Sequence, residues 1–186
     1  MKVLAIVGSP RPDGNTNYLV DKALEGAEKS GVQTEKILLS QHDIRPCLGH
    51  DDCANFKTCT QQDDASRVLE RFCEADGVIL ATPVYWYNVT AQMKTFVDRN
   101  YFIYQHGIKP RAKAVGLIIT AEIEGMEDTL NTLRKFTEWT FPIPKSRIIN
   151  VTGYASKMGG AEANTTLVKA AVQLGRSMAG ILLEND

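Results

Sequence analysis

Two stretches of the chain gather side chains of types that can do chemistry. The first reads Gly8-Ser9-Pro10-Arg11-Pro12-Asp13-Gly14-Asn15-Thr16-Asn17. Ser9, Asn15, Thr16 and Asn17 offer side-chain donors, and Arg11 offers a permanent positive charge. Gly14 lets the backbone curl close to an anion. If a helix opens here, its first N–H groups lack helical partners and its dipole points the same way. The set suits a phosphate monoester. It is not a G-x-G-x-x-G loop, since only Gly8 and Gly14 are glycine, and no Gly-Lys-Ser/Thr follows. A dinucleotide or nucleoside triphosphate cradle is therefore disfavoured. The alternative is a plain turn in which Asn15 or Thr16 caps the helix.

The second stretch is Thr82-Pro83-Val84-Tyr85-Trp86-Tyr87-Asn88-Val89-Thr90. Of three consecutive aromatics, one or two can face a core, and the others must line a site, an interface or solvent. Aromatic faces stack on a planar ring system at low entropy cost, and turn N–H groups can bond its polar edge. The alternative is core and subunit packing. Both hold if the site lies at a subunit boundary.

The elements that must position these loops are strands alternating with helices. Val3 to Val7 are all apolar, so a strand over about residues 2–8 reads as buried on both faces, as in a parallel sheet. Residues 78–81 and 114–119 repeat the pattern, and Ile37-Leu38-Leu39 and Ile148 to Val151 are shorter candidates. Leu19, Val20, Ala23, Leu24 and Ala27 form a helical stripe that Gly31 can end. Asp63 or Asp64 can cap a helix carrying Val68, Leu69 and Phe72. Thr90 can cap one carrying Met93, Phe96, Val97 and Tyr101. Leu130 and Leu133 mark a fourth helix, and Leu167, Ala171, Leu174, Met178 and Leu182 a fifth. Five strands and five helices in alternation predict an α/β three-layer sandwich, a five-stranded parallel sheet covered on both faces. Such sheets bind ligands beyond the carboxyl ends of their strands, which is where both stretches fall.

The 186 residues fit one domain, expected over 1–186. With 44% hydrophobic and 23% charged residues and a net charge of −1, nothing recommends a nucleic acid or a membrane surface as partner. Residues 1–10 imitate a signal peptide, but the apolar run stops at Gly8 without a cleavage context, and no stretch approaches a membrane span. The chain reads as cytoplasmic.

Together, GSPRPDGNTN after the first strand and TPVYWYNVTAQMKTFVDR after the third resemble the NAD(P)H-dependent FMN reductases, and especially their iron–sulfur flavoprotein branch. The resemblance is sharpest over residues 3–17 and 78–99 and spans nearly the whole chain in element order. It implies a flavodoxin-like fold with strand order 2-1-3-4-5. It implies that Ser9, Arg11, Gly14, Asn15, Thr16 and Asn17 hold an FMN phosphate. Pro83, Val84, Tyr85, Trp86, Tyr87 and Asn88 would then hold the isoalloxazine ring, with Thr120 at its other edge. Hydride would pass from NAD(P)H to the flavin, and electrons would leave to a quinone, a flavin, a metal ion or a protein. No acid–base pair or triad is expected, because the flavin carries the chemistry. A homodimer or homotetramer is implied. A net charge of −1 is low for a flavodoxin-type electron carrier and favours an enzyme.

The iron–sulfur flavoproteins carry C-x2-C-x2-C-x5-C followed by Asp-Asp. Here Cys47, His50, Cys53 and Cys59 keep that spacing before Asp63-Asp64, with histidine at the second position. The insert at about 44–62 has three readings: an iron–sulfur cluster with one imidazole ligand, a three-cysteine one-histidine zinc site, or a loop without metal. The first makes the chain an electron carrier reduced by ferredoxin, and the second allows a non-catalytic, zinc-clipped binding module.

Other residues are assigned bland roles. Cys73, beside Phe72, is buried rather than reactive. Lys94, Asp98 and Arg99 make a helix-face ion pair or an interface contact, and His42 and His106 are surface residues. Glu122 and Glu124 belong to a solvated loop, and Gly153-Tyr154 with Gly159-Gly160 mark a flexible stretch after the fifth strand, read as a surface loop ahead of a cover folding over bound nicotinamide.

Overall fold

The computed structural model describes residues 1–184. Five strands form one sheet: β1 (Lys2–Val7), β2 (Gln33–Leu38), β3 (Gly77–Pro83), β4 (Ala114–Ala121) and β5 (Ile148–Tyr154). Every pairing is parallel and the order is β2-β1-β3-β4-β5. The architecture is the expected flavodoxin-like one. The chain's direction of travel across the sheet reverses between β1 and β3, so the loops leaving these two strands part there and open a crevice. Residues 185–186 of the expected single domain lie outside the described residues.

Alternation along each strand divides the core in two. Leu4 and Ile6 of β1 join Leu80, Leu117 and the ring cluster of Phe72, Phe96 and Phe141 on one face. Val3, Ala5 and Val7 join Ile79, Ile118 and the helices α1 (Asn15–Glu28) and α7 (Thr165–Leu183) on the other. Those two helices approach closely enough that a Cβ on Gly175 would lie 1.8 Å from the Ala23 carbonyl oxygen.

The other helices are α2 (Ala65–Glu74), α3 (Ala91–Arg99), α4 (Tyr101–Gln105), α5 (Met126–Thr140) and α6 (Gly160–Ala163). Seven helices are therefore described where five were expected. α4 and α6 hold 5 and 4 residues, too few to show a period in sequence. The helix expected to run from Thr90 through Tyr101 stops at Arg99; Asn100 turns its Nδ2 back onto the Phe96 carbonyl at 2.8 Å, and a new helix starts at Tyr101. Thr90 caps α3 as expected, accepting from the Met93 N–H at 3.2 Å, and also donates to the Gly8 carbonyl at 2.6 Å. Asp64 stands at the N-cap of α2 without a side-chain cap bond, while Asp63 Oδ1 accepts from the Ala65 N–H at 3.0 Å. Gly153 and Tyr154 belong to β5 rather than to a flexible stretch, and a Cβ on Gly153 would lie 2.5 Å from Leu167 Cδ2.

Between β2 and α2 the chain makes a long insert whose ends meet. The Asp64 N–H donates to the Asp43 carbonyl at 2.8 Å, and the Asp43 N–H returns to Asp64 Oδ2 at 3.0 Å.

Candidate functional site

The loop after β1 is tied to β3 by the Gly8 N–H on the Ala81 carbonyl at 2.7 Å, and a Cβ on Gly8 would lie 2.7 Å from Met93 Cβ. Ser9 folds the loop on itself: its Oγ accepts from the Arg11 N–H and donates to the Arg11 carbonyl, both at 3.2 Å. Gly14 is the N-cap of α1 and has no side-chain cap, so neither Asn15 nor Thr16 caps the helix. The N–H groups of Asn15, Thr16 and Asn17 open the helix without helical carbonyls to meet. Thr16 is buried, with its Oγ1 2.6 Å from Thr120 Oγ1 at the end of β4.

These residues border a cavity of about 420 Å³ at the carboxyl edge of the sheet. Ser9, Arg11, Gly14, Asn15 and Thr16 line it from β1, Pro83, Val84 and Tyr85 from β3, and Thr120 from β4. Asn17 does not line it; its Nδ2 donates to the Pro12 carbonyl, and its Oδ1 is buried without a partner. The fourth wall, Ala155 to Met158 after β5, lies in the stretch read as a surface loop or a nicotinamide cover, and Lys157 on it was not singled out from sequence. Among the described residues neither Arg11 nor Lys157 makes an ion pair.

The aromatics leave β3 in a two-residue hairpin turn. The Tyr85 N–H donates to the Asn88 carbonyl at 2.8 Å, and the Asn88 N–H to the Tyr85 carbonyl at 3.1 Å. Trp86 and Tyr87 at its tip have φ of 49° and 62°, the left-handed region that Asn-Gly pairs favour and bulky residues avoid. All three rings are exposed, Trp86 at 94%, so none takes the core-facing place open to one or two of them. A two-residue turn has no room to send its tip side chains back under the sheet. The turn is braced from the β4 loop. Gly125, at φ 80°, lies so close that a Cβ there would meet Tyr87 Cα at 2.6 Å. Tyr87 donates its hydroxyl to Glu124 at 2.7 Å, and that carboxylate pushes the phenol pKa up. Trp86 and Tyr87 line a second cavity of about 570 Å³ that shares Val84 and Glu122 with the first. Asn88 lines neither; its Oδ1 accepts from the Val89 N–H at 2.8 Å.

Cys47, His50, Cys53 and Cys59 all line one small cavity of about 20 Å³. Burial and the neighbouring Cys47, Cys59 and Asp52 push the Cys53 thiol up. The donor chemistry suits iron or zinc. Among the described residues, however, no three Cys, His, Asp or Glu side chains lie together as a metal ion requires, so ligation needs these four to draw closer than they stand. Arg99, read from sequence as a helix-face residue, is buried under this segment, with Nη1 on the Arg45 carbonyl at 2.9 Å and Nη2 on Cys59 Sγ at 3.2 Å. Lys94 and Asp98 do form the expected pair, at 2.5 Å. His106 is not a simple surface residue: it stacks on Phe102, and its Nε2 meets the Phe56 carbonyl at 2.8 Å. Cys73 is half-buried, and burial pushes its thiol up to about 11.

A parallel sheet of this order, with a cavity between the loop after β1 and a braced aromatic turn after β3, defines a flavodoxin-like α/β protein. The family model for NADPH-dependent FMN reductase matches residues 1–154, and the chain belongs to that family of FMN-dependent oxidoreductases. It is 38% identical over 138 residues to an iron–sulfur flavoprotein of Methanocaldococcus jannaschii, covering 73% of this chain and 71% of that one. An iron–sulfur flavoprotein of Archaeoglobus fulgidus is 34% identical over 184 residues, covering 96% and 79%. The solved NAD(P)H:quinone oxidoreductase from Methanothermobacter marburgensis shares the fold at a TM-score of 0.73, with 14% identity and 96% of each chain covered. Family membership makes the chain an oxidoreductase, which sets aside the non-catalytic module. No described helix is long and apolar enough to cross a membrane.

Proposed function

We propose that this protein binds FMN in the 420 Å³ cavity and passes electrons from NAD(P)H to a small acceptor such as a quinone or free flavin, or to a metal ion or protein. The observation that carries the reading is the continuity of that cavity, which joins the β1 anion cradle to the β3 turn and to Thr120. The residues present fit the cofactor. The open N–H groups at the start of α1 and the charge of Arg11, with Ser9 and Thr16 beside them, would hold the phosphate. Pro83, Val84 and Tyr85 would hold the planar ring, and Trp86 and Tyr87 line the adjoining cavity that would take a donor or acceptor. When bound, FMN supplies the redox chemistry itself. The protein's share is position: Thr16 and Thr120 close the floor, and Gly125 with Glu124 fix the turn. A homodimer or homotetramer accords with the exposure of Trp86 and Tyr87 beside the cavity, and a cytoplasmic location is part of the same proposal. The test is titration of flavin-free protein with FMN, followed by NADH and NADPH oxidation with a quinone. Saturable flavin quenching and acceptor-dependent turnover support the reading; no quenching removes it.

A second reading concerns the insert. Cys47, His50, Cys53 and Cys59 share one cavity and, drawn closer, would hold an iron–sulfur cluster, with ferredoxin as the proposed electron donor. The names of the two archaeal relatives point the same way. Iron and acid-labile sulfide in anaerobically purified protein bear it out. Zinc alone, or neither, removes it.

A further inference from the structure

Asn15 opens α1 at the mouth of the flavin cavity, yet its side chain is fully engaged elsewhere. Its Nδ2 donates to the carbonyls of Ala155 at 3.1 Å and Lys157 at 2.8 Å, and its Oδ1 accepts from the Ala161 N–H at 3.0 Å. Both amide hydrogens are thereby spent on the segment between β5 and α6. The same segment is tied on its other side by the Ala155 N–H on the Ala121 carbonyl at 2.9 Å. It is otherwise an exposed loop, and it supplies Ala155, Ser156, Lys157 and Met158 as one wall of the cavity.

We infer that Asn15 is a positioning residue that holds this segment against the phosphate end of the cavity, and that Lys157 is thereby placed as a second cation beside Arg11, which makes the site select a phosphorylated flavin over the same flavin without its phosphate. The inference rests on the FMN reading above. A phosphate monoester carries about −1.5 to −2 charges at neutral pH. Arg11 alone does not neutralise it, and Asp13 and Glu122, which also line the cavity, work against it. Lys157 is the other basic side chain on the lining and makes no ion pair among the described residues. Its backbone carbonyl is fixed by Asn15, so the root of the side chain is fixed at the wall. Riboflavin lacks the phosphate and has nothing for this charge to meet.

The experiment is fluorescence titration of the flavin-free full chain with FMN and with riboflavin, for wild type, Lys157→Met, Lys157→Arg, Asn15→Ala and the Asn15→Ala/Lys157→Met double variant. Lys157→Met is expected to weaken FMN about tenfold, as for loss of a charge-assisted contact, and to leave riboflavin within about twofold. Lys157→Arg restores FMN. Asn15→Ala weakens FMN selectively, and adding Lys157→Met to it costs little more, because the two act through one contact. The inference is overturned if Lys157→Met leaves FMN affinity unchanged, if Asn15→Ala weakens both flavins alike, or if the two losses add in full. Lys157 is exposed, so its variants test the charge even if Asn15→Ala does not fold. A wild-type chain that takes up neither flavin overturns the proposed function and this inference with it. A wild type that binds FMN, with flat variants, overturns the inference alone.

Discussion

Arg99 lies on Asp63 in an ion pair closed to solvent, with Nη2 on Oδ1 at 3.1 Å and the two side chains 2% and 0% exposed. Asp63 also accepts from the Arg45 N–H at 3.0 Å, so this pair pins the end of α3 to both ends of the cysteine insert. Removing one partner leaves a buried charge unmatched, which costs about 3–5 kcal/mol. Arg99→Ala is therefore expected to lower the urea unfolding free energy by that order. Arg99→Lys recovers part of it, because a lysine cannot reproduce the two-pronged contact. Wild-type stability in Arg99→Ala, measured by urea titration, sinks this account.

The same pair gives a pH dependence with a definite sign. Burial pushes the Asp63 carboxyl up, but the bonds from Arg99, Arg45 and Ala65 outweigh it and leave it below its ordinary 3.8. A carboxyl lowered in the folded state stabilises the fold fully above the ordinary value. That contribution is lost as pH falls through the lower folded value. Unfolding midpoints measured across acid pH should fall more steeply below about pH 4 in wild type than in Asp63→Asn. Parallel curves for the two proteins rule the pair out as the cause.

The cysteine insert makes a prediction through His50. Histidine stands where the resemblance implies a thiolate, and its Nε2 meets Thr60 Oγ1 at 3.3 Å. Thiolates bind iron–sulfur clusters more readily than imidazole does. His50→Cys is expected to raise iron and sulfide content per chain above wild type after anaerobic purification, with a stronger brown absorbance. Equal iron and sulfide in both proteins means that the imidazole does not limit cluster binding, and the absence of both from either protein means the segment is not a cluster site.

What could be read in the sequence was what depends on period and residue type. Val3 to Val7 announce a doubly covered strand, and all five are fully buried. Thr90 announces a cap and is one. The two loops of the site stand out because their residues lie close together in the chain. The bonds that Asn15 and Arg99 make were not legible, for one physical reason. Their partners lie 140 and 142 residues away for Asn15 and 36 away for Arg99, and a polar side chain carries no mark of which distant carbonyl or carboxylate it will meet. The wall at Lys157 was invisible likewise, since a loop is brought to a cavity by the bonds of other residues.

The turn at Trp86 and Tyr87 offers a separation of stability from function. Left-handed backbone costs a bulky residue about 1–2 kcal/mol, and Trp86, 94% exposed, recovers almost none of this by burial. Asparagine is the favoured residue at the first tip position of such a turn. Trp86→Asn should therefore raise the unfolding free energy by about 0.5–1 kcal/mol. A side chain kept in strain and in solvent, at the rim of a cavity that adjoins the proposed flavin site, is expected to serve a contact outside its own fold. The same variant is thus expected to bind FMN within about twofold of wild type, because Trp86 does not line the FMN cavity, while turnover with a quinone falls by about tenfold or more. If stability does not rise, the turn is not strained. If stability rises and turnover holds, Trp86 does not meet the acceptor.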